Sequence, residues 1–355
     1  MSFKLADRFA SVVLCAAGVL GGVSGASAND IPKMNLAVAG NLGITTQSAQ
    51  LERPFWTSAV PEAFDDKLTI RFRPWNEMGL NGSEVIRMVS RGTLQSGTTQ
   101  LGFIAGEAPI VDGTDLAGLS PDIATLKSAT EAFEPTLDEY FEEHQGVKVL
   151  GYWSFQAQVL FCTKKLDSLT DLEGRRIRVS GASQTDFIEH FGAEGVSMAW
   201  GEVQQALQMG ALDCAITGSL GGYTGKWHEA ANYIHELPIN WGTSVMVMNQ
   251  EAWDKLGPKG QDLLQSEVDK LAEAIWEQNQ RENEYGIACN TGGECPVGDA
   301  ASMTLVKATE QELELRRKAL EQTVLPRWAA RCGNACVTEW NQSVGSILDM
   351  TAEKK

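Results

Sequence analysis

Short runs with the character of β-strands alternate with amphipathic helical stretches along most of this chain. That alternation constrains the fold more than any other feature. Strands and helices in such a series bury their apolar faces only as layers, with helices over a mostly parallel, doubly wound sheet, or over two such sheets. The strand-like runs are MNLAVA at 34–39, KLTIRF at 67–72, TQLGFI at 99–104, VKVLGYW at 147–153, QVLFCT at 158–163, RIRV at 176–179, CAIT at 214–217, YIHEL at 233–237 and SVMVMN at 244–249. Between them, Ser83 caps a helix over 83–93 in which Val85, Ile86 and Val89 recur at helical spacing. Two separate helical pieces are expected at 122–126 and 137–143, and the glycine-rich run at 218–222 reads as a loop. A helix over 251–256 stops at Gly257-Pro258. A long helix over 261–284 follows, with Leu264, Val268, Leu271 and Ile275 on one stripe. Another long helix is expected over 305–328 and a short one over 337–349.

The first 28 residues do not read as part of this fold. Lys4 and Arg8 give a basic start, an apolar run of small residues follows, and Ala26-Ser27-Ala28 is a small-x-small cleavage pattern, which together describe a secretory signal peptide. The formal charge is −17, and removing Lys4, Asp7 and Arg8 makes it one unit more negative. A surface this acidic repels nucleic acid and anionic membranes. An anion must then be held by a local cationic site that works against the global field. The charged surface also suits a soluble monomer.

Six cysteines follow the leader, and an even count in an exported chain indicates disulfides. Cys289, Cys295, Cys332 and Cys336 lie close together, with three possible connectivities; their spacings do not suit a zinc site. Cys162 and Cys214 fall in apolar strand-like runs, as a buried pair or as two free core thiols.

The stretch LTDLEGRRIRVSG at 169–181 places Arg178 near the carboxyl end of a strand that stops at Ser180-Gly181. In open α/β sheets ligands bind beyond those ends. A guanidinium stays charged and offers a planar fork of donors that suits a carboxylate. Motifs for other chemistry are missing. Ser219 does not stand in a nucleophile elbow, no phosphate-cradling loop follows a strand, and His144, His190, His228 and His235 form no metal-ligand pattern. No cofactor is expected.

Four blocks resemble the extracytoplasmic substrate-binding proteins of TRAP transporters, the DctP type. The stretch at 169–181 is similar to the family's DLKGxKIRxxG, with Arg178 on its arginine. Residues 200–213 are similar to GEVYTALQTGVVDG. Residues 241–249 match a strand that lays a loop over the cleft, and EAWDKLGPKG at 251–260 is similar to WDKLSPE. The resemblance implies an α/β, two-lobed periplasmic-binding-protein-like fold with mostly parallel sheets flanked by helices and a long helix linking the lobes. It assigns 29–152 and about 242–285 to one lobe, and 153–241 and about 286–355 to the other. It implies a periplasmic receptor, not an enzyme, that closes on a small organic acid and hands it to membrane subunits. Arg178 would take the carboxylate, Gln158 and Thr217 would select polar groups, Trp241 would cover the ligand, and Trp200 and Trp153 would border it. Gln158 stands near a position where the family often has a second arginine, which argues against a simple dicarboxylate. The alternative is an exported α/β enzyme acting on an organic acid.

Overall fold

Two mixed sheets form the frame of the computed structural model, which describes residues 31–353. The expected leader at 1–28 lies outside the described residues. The strands are β1 (Met34–Gly40), β2 (Leu68–Pro74), β3 (Ser96–Gln100), β4 (Val147–Ser154), β5 (Gln158–Cys162), β6 (Arg176–Val179), β7 (Glu194–Ser197), β8 (Cys214–Gly218), β9 (Tyr233–His235), β10 (Thr243–Asn249) and β11 (Thr304–Val306). The first sheet has the order β2-β1-β3-β10-β4, the second β11-β9-β5-β8-β6-β7. β1 runs parallel to β2 and β3, and β6 parallel to β7 and β8. β10 and β5 run antiparallel to their neighbours. With these two strands, and with β11 after the long helix, the chain enters one sheet after leaving the other.

Strand alternation explains how the first sheet is covered on both faces. Leu36 and Val38 of β1 turn toward Phe55, Trp56 and the stripe Leu264, Val268, Leu271 and Ile275. Ala39 turns the other way, into the cluster that holds Val85, Ile86 and Val89. The helical run Gln250–Thr291 breaks at Gly257, whose backbone (φ 67°, ψ 168°) favours glycine, so the long helix proper starts at Pro258. Its first half packs on the first sheet. Its second half reaches the second, where a Cβ on Gly286 would come within 2.5 Å of the Ser219 hydroxyl and 2.8 Å of the Leu220 nitrogen. Only glycine permits that approach.

The chain therefore passes between sheets three times: through 155–157, through 236–242 and along the long helix. The first two passages lie side by side, with Phe155 N donating to Gly242 O (2.6 Å), Gln158 N to Asn240 O (2.8 Å) and Ile239 N to Gln158 O (2.9 Å). Buried Glu282 of the long helix accepts from Gln156 Nε2 (2.5 Å), Gln278 Nε2 (2.7 Å) and the Thr46 hydroxyl, and so ties the helix to both the first lobe and the passage. The C-terminal helices also rest on both sides. Trp328 and Trp340 donate to the carbonyls of Pro109 and Gly113, while Arg327 and Arg331 pair with Asp186 of the second lobe.

Several elements differ from the sequence reading. The pieces expected at 122–126 and 137–143 are one helix, Ile123–Tyr140, which carries Pro135 inside it. The run 99–104 is a strand only to Gln100, and Leu101–Phe103 turn. The glycine-rich run after β8 is helical, Ser219–Thr224, held because Asn290 and the Gly286 face of the long helix dock against it.

Three disulfides form: Cys162–Cys214, Cys289–Cys295 and Cys332–Cys336. The first joins paired residues of β5 and β8 and closes a loop 52 residues long; the others close 6 and 4. Chain entropy alone assigns about 4 kcal/mol to the long loop and about 2 kcal/mol to each short one. Replacing both Cys162 and Cys214 with alanine is expected to cost about twice as much stability in urea as removing either other pair. Equal losses would refute that ranking.

Candidate functional site

Arg178 is the third residue of β6 and lies opposite Val196 of β7 and Ala215 of β8. It is 3% exposed. Its Nε donates to Met198 O (3.2 Å) and its Nη1 to Ile216 O (2.7 Å). These bonds use two of five guanidinium donors and fix the plane of the fork. No carboxylate pairs with Arg178 among the described residues. Burial pushes its pKa down to about 10, so it is still a cation at neutral pH. A buried charge without a counter-charge is costly, and an arriving anion offsets that cost.

The guanidinium borders a narrow cavity of about 30 Å³. Thr45, Trp75, Gln100 and Phe103 wall it from the first lobe, Phe155 and Gln158 from the passage, and Ser180, Trp200, Thr217 and Gly221 from the second lobe. A wider groove of about 250 Å³ shares Trp75, Phe103, Arg178, Ser180 and Trp200 with it and extends along Asn81–Ser83 and Ser197–Ala199. The cavity therefore sits beyond the ends of β2, β3, β6 and β8, where the parallel strands of both sheets finish.

Four of the residues expected at the site come together here. Gln158 opens β5 and donates to Gln156 O (3.0 Å). Thr217 presents its hydroxyl, which accepts from Trp200 Nε1 (3.1 Å). Trp200 is steadied from behind by stacking on Trp227, with ring centroids 5.8 Å apart. The other two are elsewhere. Trp153 is fully buried on the side of β4 that faces the long helix, among Leu150, Met246 and Val268. Trp241 does not cover the cavity. Its indole donates to Ser120 O (3.0 Å) and its ring packs among Leu126, Phe161 and Trp227. Its role in the passage is structural, because Asp115 holds its backbone nitrogen (3.0 Å).

Sequence reasoning missed Trp75, Gln100, Phe103 and Phe155. Trp75 directly follows β2 and Gln100 closes β3, so the rule that ligands lie beyond strand ends marks both. Phe103 was hidden by extending β3 to Ile104.

A two-lobed α/β frame with a side-chain-lined cavity at the facing strand ends is an architecture that holds a small ligand between its lobes. The family "Bacterial extracellular solute-binding protein, family 7" (DctP) matches residues 45–324, and the chain belongs to it. Among curated relatives, the ectoine-binding periplasmic protein TeaA of Halomonas elongata is 22% identical over 206 residues, 57% of this chain and 60% of that protein. The 2,3-diketo-L-gulonate-binding periplasmic protein YiaO of Escherichia coli is 22% identical over 223 residues, 62% and 68% of the two chains. Among solved structures, the receptor DctP7 of Bordetella pertussis, which binds pyroglutamic acid, superposes with a TM-score of 0.75 at 18% identity, over 87% of this chain and 98% of that one. A TRAP solute-binding protein of Desulfovibrio salexigens with bound orotic acid gives 0.76 at 17% identity, over 88% and 99%. At these identities the structures establish the fold alone.

Proposed function

We propose that this chain is the periplasmic receptor of a tripartite, ATP-independent transport system. It captures a small organic acid between its lobes and presents it to membrane subunits. The observation that carries this reading is Arg178, a buried cation with no acidic partner among the described residues, in a cavity walled by both lobes. Relatives described as binding pyroglutamate, orotate and diketogulonate supply the ligand class. Capture works by closure: a ligand that touches both lobes stabilises the closed state by its differential affinity, and no reaction is involved. Residues 1–28 serve as the signal that exports the chain to the periplasm, an oxidising compartment where its disulfides persist. The lobes are 29–152 with about 242–285 and 153–241 with about 286–355, and the receptor works as a monomer.

The test is a thermal-shift screen of the mature chain against small organic acids, with recovery of the acid afterwards. At least one acid, supplied far above its Kd, is expected to raise Tm by several degrees and to be recovered unchanged. Conversion of the acid would make the chain an enzyme. The absence of any shift would remove the acid-receptor reading.

A further inference from the structure

The charges that line the cavity are fewer than the proposed class of ligand allows. Among the described residues bordering the cavity and its outer groove, Arg178 alone is charged. The remaining polar groups there are neutral, including Gln100, Gln158 and Thr217. Much of the rest of the wall is aromatic, with Trp75, Phe103, Phe155 and Trp200 around the space. Resting on the carboxylate-receptor reading, we propose that the ligand is a monoanion: one carboxylate for Arg178, and an uncharged body held against the aromatic walls and neutral amides of the cavity and its wider groove. A second carboxylate would be buried without a cation, and an ammonium within the cavity or its outer groove would meet no anion, so both spaces disfavour dicarboxylates and zwitterionic amino acids.

Two buried acids, Asp112 and Asp115, lie behind Gln158. Both face an adjoining polar space of about 20 Å³ that shares Gln100, Gln158 and Ser180 with the cavity. Asp115 is occupied by Asn240, Trp241 and Gly242, and Asp112 by Ser183. One oxygen of Asp112 has no hydrogen-bond partner among the described residues. An ammonium reaching past Gln158 would find it, so zwitterions belong in the test.

The experiment is calorimetric titration of the mature protein, unfolded and refolded with its disulfides intact to strip any acid carried through purification. The probes are matched sets. In one, cyclopentanecarboxylate and pyroglutamate are set against proline and cyclopentane-1,3-dicarboxylate; in the other, benzoate is set against isophthalate and 3-(aminomethyl)benzoate. The tightest ligand is expected to be a neutral-bodied monocarboxylate, about a hundredfold tighter than its doubly charged counterparts. Gln100→Lys supplies a second cation at a side chain that makes no hydrogen bond among the described residues. It is expected to improve dicarboxylate binding at least about tenfold. A dicarboxylate or zwitterion that equals the best monocarboxylate in the wild type, with binding still lost in Arg178→Ala, overturns the monoanion inference and leaves the receptor reading standing. Failure of every acid overturns both.

Discussion

Arg178→Ala is expected to weaken capture of the acid severely, with affinity falling by roughly 30-fold to several thousand-fold. Removing one partner of a buried, hydrogen-bonded charge pair costs about 2–5 kcal/mol, and each 1.4 kcal/mol is about tenfold in affinity. The structure explains why the loss is concentrated on this residue. The guanidinium is already oriented by Met198 O and Ile216 O, so little ordering remains for the ligand to supply. Arg178→Lys retains a charge but not the fork. An ammonium that satisfies Ile216 O at 2.7 Å cannot also present two parallel donors to a carboxylate. It is expected to lose at least about tenfold, mainly in dissociation rate. Isothermal titration of the three proteins with one acid decides this. Equal affinities in wild type and alanine variant would move the carboxylate anchor to another part of the cavity.

The parts of the site that the sequence made legible are those fixed by local geometry. β6 had to end at Ser180-Gly181, and a strand end in an α/β sheet is where a ligand lies, so Arg178 could be placed from thirteen consecutive residues. Gln158 and Thr217 are named from the family resemblance; in the structure β5 and β8 pair antiparallel and bring Gln158 opposite Gly218 and Val159 opposite Thr217. The tryptophans were harder, because their direction depends on which face of a strand is covered, and by what. Trp153 turned to the long helix because the stripe from Leu264 to Ile275 packs on that face of the first sheet. Trp241 turned away from the cavity because its indole found Ser120 O. Both contacts join residues far apart in sequence, and no local pattern encodes them. The same holds for Ile123–Tyr140. Its sequence carries a helix breaker, Pro135, and the buried face Leu126, Ala129, Phe133 and Leu137 overrides it.

Asp115→Ala is expected to be among the most destabilising single substitutions, at about 4 kcal/mol at pH 5. The side chain accepts from Asn240 Nδ2 (2.8 Å), Trp241 N (3.0 Å) and Gly242 N (2.5 Å), all in the passage that leads back to the first sheet. Truncation leaves these buried donors unmet, at about 1–3 kcal/mol each before relaxation. The same bonds reach the ligand cavity. Asn240 Oδ1 accepts from Gln184 Nε2 (2.8 Å), and Gln184 Oε1 accepts from Ser180 N (2.8 Å), two residues beyond Arg178. Loosening the passage should therefore weaken ligand binding as well as the fold, with Arg178 intact. The loss should depend on pH in a defined direction. Burial raises the Asp115 pKa to about 7 against the opposing pull of its three donors, Asp112 adds a smaller repulsion, and Arg316 is held on the carbonyls of Pro238 and Ser120. Because the folded pKa lies above the unfolded value, the stabilising contribution of this group is full at acid pH and fades as pH rises through 7. The alanine variant lacks that titration. The difference in unfolding free energy between wild type and Asp115→Ala should then shrink by roughly 2–3 kcal/mol between pH 5 and pH 8, at about 1.36 kcal/mol per unit. Urea denaturation of both proteins at the two pH values measures it. A difference that grows with pH would mean the carboxylate is held ionised by its three donors, and that the passage is fastened by a charge rather than by a neutral acid.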